Sequence, residues 1–133
     1  MTYVLDTNII TAILKGNEKV KTKVQKIVIE GKEIFINGIS YYEIKRGLLS
    51  AKATRQLDRF NLLCKTFGLI WLDTQPIFDR AAEIYANLQQ RGELIEDADI
   101  LIASIAKTRK LVLVTDDKDF QRIQGLKIEN WLT

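Results

Sequence analysis

Histidine is absent from all 133 residues, and cysteine, proline and methionine occur once each. Without an imidazole the chain can form no Ser-His-Asp or Cys-His triad, no histidine acid/base pair and no zinc site of the usual His/Cys kind. The lone Cys64 has no partner for an internal disulfide. It falls in the series Leu57, Phe60, Leu63, Cys64, Phe67, an apolar stripe at helical spacing, and reads as core packing rather than as a nucleophile. Nothing at the amino end has the basic-then-apolar order of a signal sequence, and no apolar run is long enough to span a bilayer, so a cytoplasmic protein is expected. Any enzyme built from this inventory has to work with carboxylates and a metal ion.

The length fits one domain over residues 1–133 with a sizeable core. Lysine and arginine number 20 against 17 aspartates and glutamates, a formal charge of +3. The resulting pI near 9.0 sits where nucleic-acid binding begins to be a consideration, although an ordinary basic protein gives the same value.

Two segments share one grammar. Tyr3-Val4-Leu5-Asp6-Thr7-Asn8 and Leu111-Val112-Leu113-Val114-Thr115-Asp116-Asp117 are both β-like apolar runs that end in acid. Between them, Asn8 to Lys15 predicts a short helix stopped by Gly16, and Val20, Val24, Ile27 and Val28 define the buried face of a second helix. Ile34-Phe35-Ile36 reads as a strand. Ser40-Tyr41-Tyr42-Glu43 matches a capping box at the start of a third helix, and the Cys64 helix follows. Leu69 to Leu72 reads as a strand. Pro76 stands where a first helical turn tolerates it, with Asp73 or Thr74 as cap and Ile77, Ala81, Ile84 and Leu88 as core face. Asp97 to Ala106 is apolar on nearly all sides after its acidic start, which predicts a helix packed deep against the sheet. A last short strand is expected around Lys127 to Glu129. Strands alternating with helices imply an α/β, three-layer fold with a mostly parallel central sheet flanked by helices.

In such sheets ligands bind outside the carboxyl ends of the strands, where strand order reverses. Asp6 and the Asp116-Asp117 pair would arrive there, with Glu43 and Asp97 or Asp99 coming from between. Carboxylates gathered without histidine suit a hard divalent cation, Mg²⁺ or Mn²⁺. Each acid also has a purely structural reading: Glu43 completes the capping box, Asp99 meets a helix dipole, Asp117 belongs to a turn.

Asp6-Thr7-Asn8, Glu43 in Tyr42-Glu43-Ile44-Lys45-Arg46-Gly47, Asp99 in Asp99-Ile100-Leu101-Ile102-Ala103, and Thr115-Asp116-Asp117-Lys118-Asp119-Phe120 occur in an order that resembles PIN-domain ribonucleases, specifically VapC-type toxins of toxin–antitoxin pairs. The resemblance extends to the ending Gly125-Leu126-Lys127-Ile128-Glu129-Asn130-Trp131. It implies a PIN-like fold and metal-dependent hydrolysis of RNA phosphodiesters, with Mg²⁺ as cofactor and Mn²⁺ as substitute. It also implies an acidic quartet of Asp6, Glu43, Asp99 and Asp117 as catalytic and metal-holding residues. Asp99 is preferred because the family's third acid immediately precedes the apolar helix run, and Asp97 is then expected to cap that helix. Asp117 fits the family's Thr-x-Asp pattern, with Asp116 as second choice. A cognate antitoxin and a homodimer are the implied partners, with no membrane.

Asn8 and Thr115 could orient metal-bound water or neighbouring carboxylates, or serve simply as helix cap and strand-end hydroxyl; Arg46, with Lys45, Lys52 and Arg55, could meet RNA phosphates or be solvated surface charge. A haloacid-dehalogenase-like phosphatase needs an Asp where Asn8 stands, and a receiver domain needs one where Asn37 and Gly38 follow the middle strand. The remaining alternatives are a non-catalytic RNA-binding or interaction module and a structure-specific DNA nuclease.

Overall fold

Tyr3 and Leu5 point to one side of the first strand, β1 (Thr2–Leu5), and Val4 to the other, and all three are buried. A strand covered on both faces belongs in the middle of a parallel sheet. The computed structural model, which describes all 133 residues, places it there. The chain continues through α1 (Thr7–Leu14), α2 (Glu18–Ile29), β2 (Glu33–Asn37), α3 (Gly38–Ser50), α4 (Thr54–Phe67), β3 (Leu69–Ile70), α5 (Gln75–Gln90), α6 (Asp97–Arg109), β4 (Val112–Val114), a 3₁₀ turn (Lys118–Arg122) and β5 (Ile128–Glu129).

The strand order is β3-β2-β1-β4-β5, and every pairing is parallel. The sheet is therefore wholly parallel where the sequence predicts a mostly parallel one. From β1 the chain builds outward to β2 and β3, then returns to the other flank for β4 and β5. The reversal falls between β1 and β4, and Asp6 and Thr115 directly follow these strands.

Two apolar layers flank the sheet. On one side Tyr3, Leu5, Ile34, Ile36, Val112 and Val114 meet residues of α1 to α4, including Ile9, Ile10, Val20, Phe60 and Cys64. On the other, Val4 and Leu113 meet α5 and α6. The predicted core face of α5, Ile77, Ala81, Ile84 and Leu88, is buried throughout. In α6, Ile100, Ile102, Ala103, Ser104, Ile105 and Ala106 are all buried, as expected of a helix wedged between sheet and neighbour. Each isoleucine there contributes roughly 1.5–3 kcal/mol by leaving water. Cys64 packs in the first layer, and burial pushes its thiol pKa up, the opposite of a reactive cysteine.

Several local expectations change. The capping box at Ser40 does not form: α3 begins earlier, at Gly38, and its cap is Asn37, whose Oδ1 accepts the Ser40 N–H at 2.8 Å. Glu43 is thereby released from helix capping. Asp97 is the first residue of α6 rather than its cap, a position held by Glu96 without a side-chain hydrogen bond. Val28 is exposed because α2 buries only Val20 and Ile27 fully. The third strand stops at Ile70, and Trp71 leaves the sheet to lie edge-on against Tyr41. That ring sits 2.9 Å from where a Cβ on Gly38 would stand, so any side chain at the start of α3 would have to push it aside.

Candidate active site

Asp6 is the residue at which β1 becomes α1. Its backbone N–H still bonds the Val114 carbonyl of β4 at 2.9 Å, while its side chain already caps the helix, Oδ1 accepting the Thr7 N–H at 2.8 Å. The second oxygen, Oδ2, accepts the Thr115 hydroxyl at 2.7 Å. Both oxygens are thus held in a carboxylate that is only 5% exposed. Burial raises its pKa, the Thr115 and Thr7 hydrogen bonds oppose that rise, and the charges of Asp117 and Glu43 add to it.

Thr115 also accepts the Asp117 N–H at 3.0 Å. Asp117 caps the 3₁₀ turn, its Oδ1 accepting from the Asp119 N–H at 2.9 Å, and it is half-buried. Asp116 is exposed and takes a hydrogen bond from the Asn8 side-chain amide. Glu43, half-buried on α3, accepts the Thr7 hydroxyl at 2.9 Å.

Asp99 lies in the first turn of α6 and is half-buried, whereas Asp97 is exposed. Burial is the main reason its carboxyl is pushed up to about 7, followed by the charges of Asp6, Asp117, Glu96 and Glu43. Asp6, Glu43, Asp99 and Asp117 therefore share one electrostatic neighbourhood at the reversal between β1 and β4. Asp97 and Asp116 are not among the leading influences on Asp6 or Asp99, whereas Glu96 is one of those on Asp99.

No lysine or arginine forms an ion pair with this group, although the charge of Glu43 reaches Arg46 on the same helix. The four ion pairs are Lys32–Glu30, Arg91–Glu93, Arg109–Asp73 and Arg122–Asp119, none of which includes a member of the group. Asn8 adds a buried Oδ1 with no hydrogen-bond partner. Oxygen-only donors, acids without an ion-pair partner and an orphaned amide oxygen fit a hard divalent cation. No three acidic side chains converge into a ready-made cage.

The basic side chains make local contacts. Lys45 donates to the Tyr41 hydroxyl at 2.9 Å, and Arg46 is exposed with its guanidinium 5.0 Å over the Tyr42 ring. Lys52 and Arg55 are exposed around the α3–α4 turn. A groove of about 260 Å³ starts at Thr7 and Glu43 and runs between α1, α3 and α4 past Thr11, Gly47 and Gln56. The residue that sequence reasoning missed is Thr7. Its position beside Asp6 was the available signal, but its partner Glu43 is 36 residues away.

By topology this is a doubly wound α/β protein whose crevice carries acids where a dinucleotide-binding fold carries glycines. The PIN domain family model matches residues 3–126, and the chain belongs to that family. Ribonuclease VapC2 of Rickettsia felis is 31% identical over 134 aligned residues, covering 98% of both chains. The tRNA(fMet)-specific endonuclease VapC of Salmonella typhimurium is 28% identical over 97% of each chain. Among solved structures, one chain of the Rickettsia felis VapBC2 complex, bound to a DNA fragment from its promoter, superposes with a TM-score of 0.91. It is 27% identical, with 98% of this chain and 99% of that one covered. No helix is long and apolar enough to cross a membrane.

Proposed function

We propose that this protein is a metal-dependent endoribonuclease, the toxin of a type II toxin–antitoxin pair, with Asp6, Glu43, Asp99 and Asp117 holding Mg²⁺ or, in its place, Mn²⁺. The observation that carries the reading is the cluster of these four acids at the β1–β4 reversal with no lysine or arginine paired to it. Similarity to proteins named as VapC ribonucleases and to a VapBC complex supports RNA as substrate and an antitoxin as partner.

A divalent cation supplies activation of the attacking water and neutralisation of charge on the phosphate oxygens. The chain's own groups supply placement. Thr115 and the Thr7 N–H fix both oxygens of Asp6, so this carboxylate is oriented before anything binds. Asp117 is set by its cap to the 3₁₀ turn and by its N–H to Thr115. Asp99 contributes from the deeply packed α6, whose first turn is braced by the isoleucines behind it. No protein side chain is needed as general base, consistent with a chain that has no histidine.

The test is cleavage of labelled single-stranded RNA by purified, antitoxin-free protein in Mg²⁺, in Mn²⁺ and in chelator. Cleavage is expected only with metal. Expression without the antitoxin should arrest bacterial growth, and Asp6→Asn should relieve the arrest. Cleavage that persists in chelator overturns the metal reading. Failure to cut any RNA favours a binding module, and cutting DNA alone favours a DNA nuclease. Normal growth with an active enzyme removes the toxin assignment and leaves the nuclease.

A further inference from the structure

Behind the acids lies a set of buried polar groups that the proposed chemistry does not use. Asn37 and Ser40 are 0% exposed, and with Thr7 they form an unbroken line of hydrogen bonds that ends at Glu43. The Asn37 amide has one orientation: its Oδ1 accepts the Ser40 N–H at 2.8 Å, and its Nδ2 donates to the Leu5 carbonyl at 2.8 Å. The second Nδ2 proton goes to Ser40 Oγ at 2.9 Å. Ser40 Oγ and Thr7 Oγ1 are 2.9 Å apart, as are Thr7 Oγ1 and Glu43 Oε1.

The ends of this line dictate its polarity. An amide nitrogen only donates and a carboxylate only accepts, and each hydroxyl has a single proton. The Thr7 proton therefore goes to Glu43, and the Ser40 proton goes to Thr7. Both hydroxyls point the same way, so each bond polarises the next and Thr7 becomes a stronger donor than a hydroxyl standing alone. No other side chain donates to Glu43, and no lysine or arginine is paired with it. Without Thr7 its carboxylate, at the end of a flexible stem on α3, is free to leave the Asp6 end of the sheet.

We propose that Thr7 is a positioning residue, the last member of an Asn37–Ser40–Thr7 donor chain that holds Glu43 in place as a ligand for the divalent cation. This deepens the reading of the acid cluster as a metal site and rests on it. Partners that orient a metal ligand change affinity by about 10–100-fold when removed, which sets the expected scale.

The deciding measurement is Mn²⁺ affinity by titration calorimetry on the full chain without RNA, for the parent, Thr7→Val, Thr7→Ser and Ser40→Ala. Thr7→Val keeps the shape and removes the hydroxyl, so Mn²⁺ should bind about tenfold more weakly or worse. Thr7→Ser should restore binding to near the parent, and Ser40→Ala should fall between. In cleavage assays the Thr7→Val deficit should appear in kcat at limiting Mn²⁺ and recover with excess metal, leaving the KM for RNA unchanged. Parent-like affinity in Thr7→Val overturns the proposal, and so does equal weakening in Val and Ser, which would assign the effect to packing. If Thr7→Val does not fold, Ser40→Ala decides alone: several-fold weaker binding supports the chain and unchanged binding overturns it. A parent that binds no Mn²⁺ overturns the metal site itself, whereas a binding parent with an indifferent Thr7→Val overturns only the role of Thr7.

Discussion

Thr115 Oγ1 donates to Asp6 Oδ2 at 2.7 Å, joining the ends of β4 and β1 across 109 residues of chain. It is a buried hydrogen bond to a carboxylate, a kind that contributes about 1.5–3 kcal/mol. Thr115→Val keeps the volume and removes the donor, so unfolding in denaturant at neutral pH should show a loss of about that size. Thr115→Ser should retain most of the stability. Equal losses in both variants would mean that the methyl packing, not the hydroxyl, is what matters.

Asp99 gives the metal-free protein a definite pH signature. Its folded carboxyl titrates near 7 against an ordinary 3.8, so between these values the folded state binds more protons than the unfolded one. The Asp99 contribution therefore favours folding at low pH and declines as pH rises through that window. With chelator present, the difference in stability between parent and Asp99→Asn should shift in the mutant's favour from pH 4 to pH 7.5. A constant difference would place the Asp99 pKa at its ordinary value.

The two acids at the start of α6 should separate in activity. Asp99 is half-buried and coupled to Asp6 and Asp117, whereas Asp97 is exposed. Asp99→Asn should lower the initial rate at saturating metal by about 100-fold or more, while Asp97→Asn stays within a few-fold of the parent. The reverse order would shift the third acid of the site by two residues.

Crowded acids repel when nothing neutralises them, so removing one charge relieves the fold. In chelator, Asp99→Asn should melt at the parent's temperature or above it, even though its activity is gone. Excess Mn²⁺ should stabilise the parent by RT ln(1 + [L]/Kd), about 1.4 kcal/mol at ten times Kd, and the mutant much less. A mutant that melts lower in chelator and gains as much from Mn²⁺ would make Asp99 a structural helix-start residue.

The sequence made the sheet and the acids legible for a shared reason. Apolar runs ending in acid at Asp6 and Asp116-Asp117 carry both the strand and the acid proposed for the site, and the all-round apolar α6 reads as a buried helix. The start of α3 was misread because Ser40-x-x-Glu43 satisfies a local capping rule, while Asn37 satisfies a competing one three residues earlier. What decides between them is tertiary: Ser40 is completely buried, and Glu43 is drawn to Thr7 on another element. Helical spacing puts Arg46 on the face of Glu43 but does not register the adjacent Tyr42 ring over which its exposed guanidinium lies.

Asp6 caps α1 and Asp117 caps the 3₁₀ turn, so two of the four acids proposed for chemistry also close an element of the fold. Asparagine caps a helix about as well as aspartate. At either position aspartate to asparagine is a single-base change in the codon, and on the proposed chemistry it would remove the acid while keeping the cap. An inactive copy, still folded and still shaped for an antitoxin, is thus one mutational step from the active one, and selection for or against toxicity can act without passing through an unfolded protein.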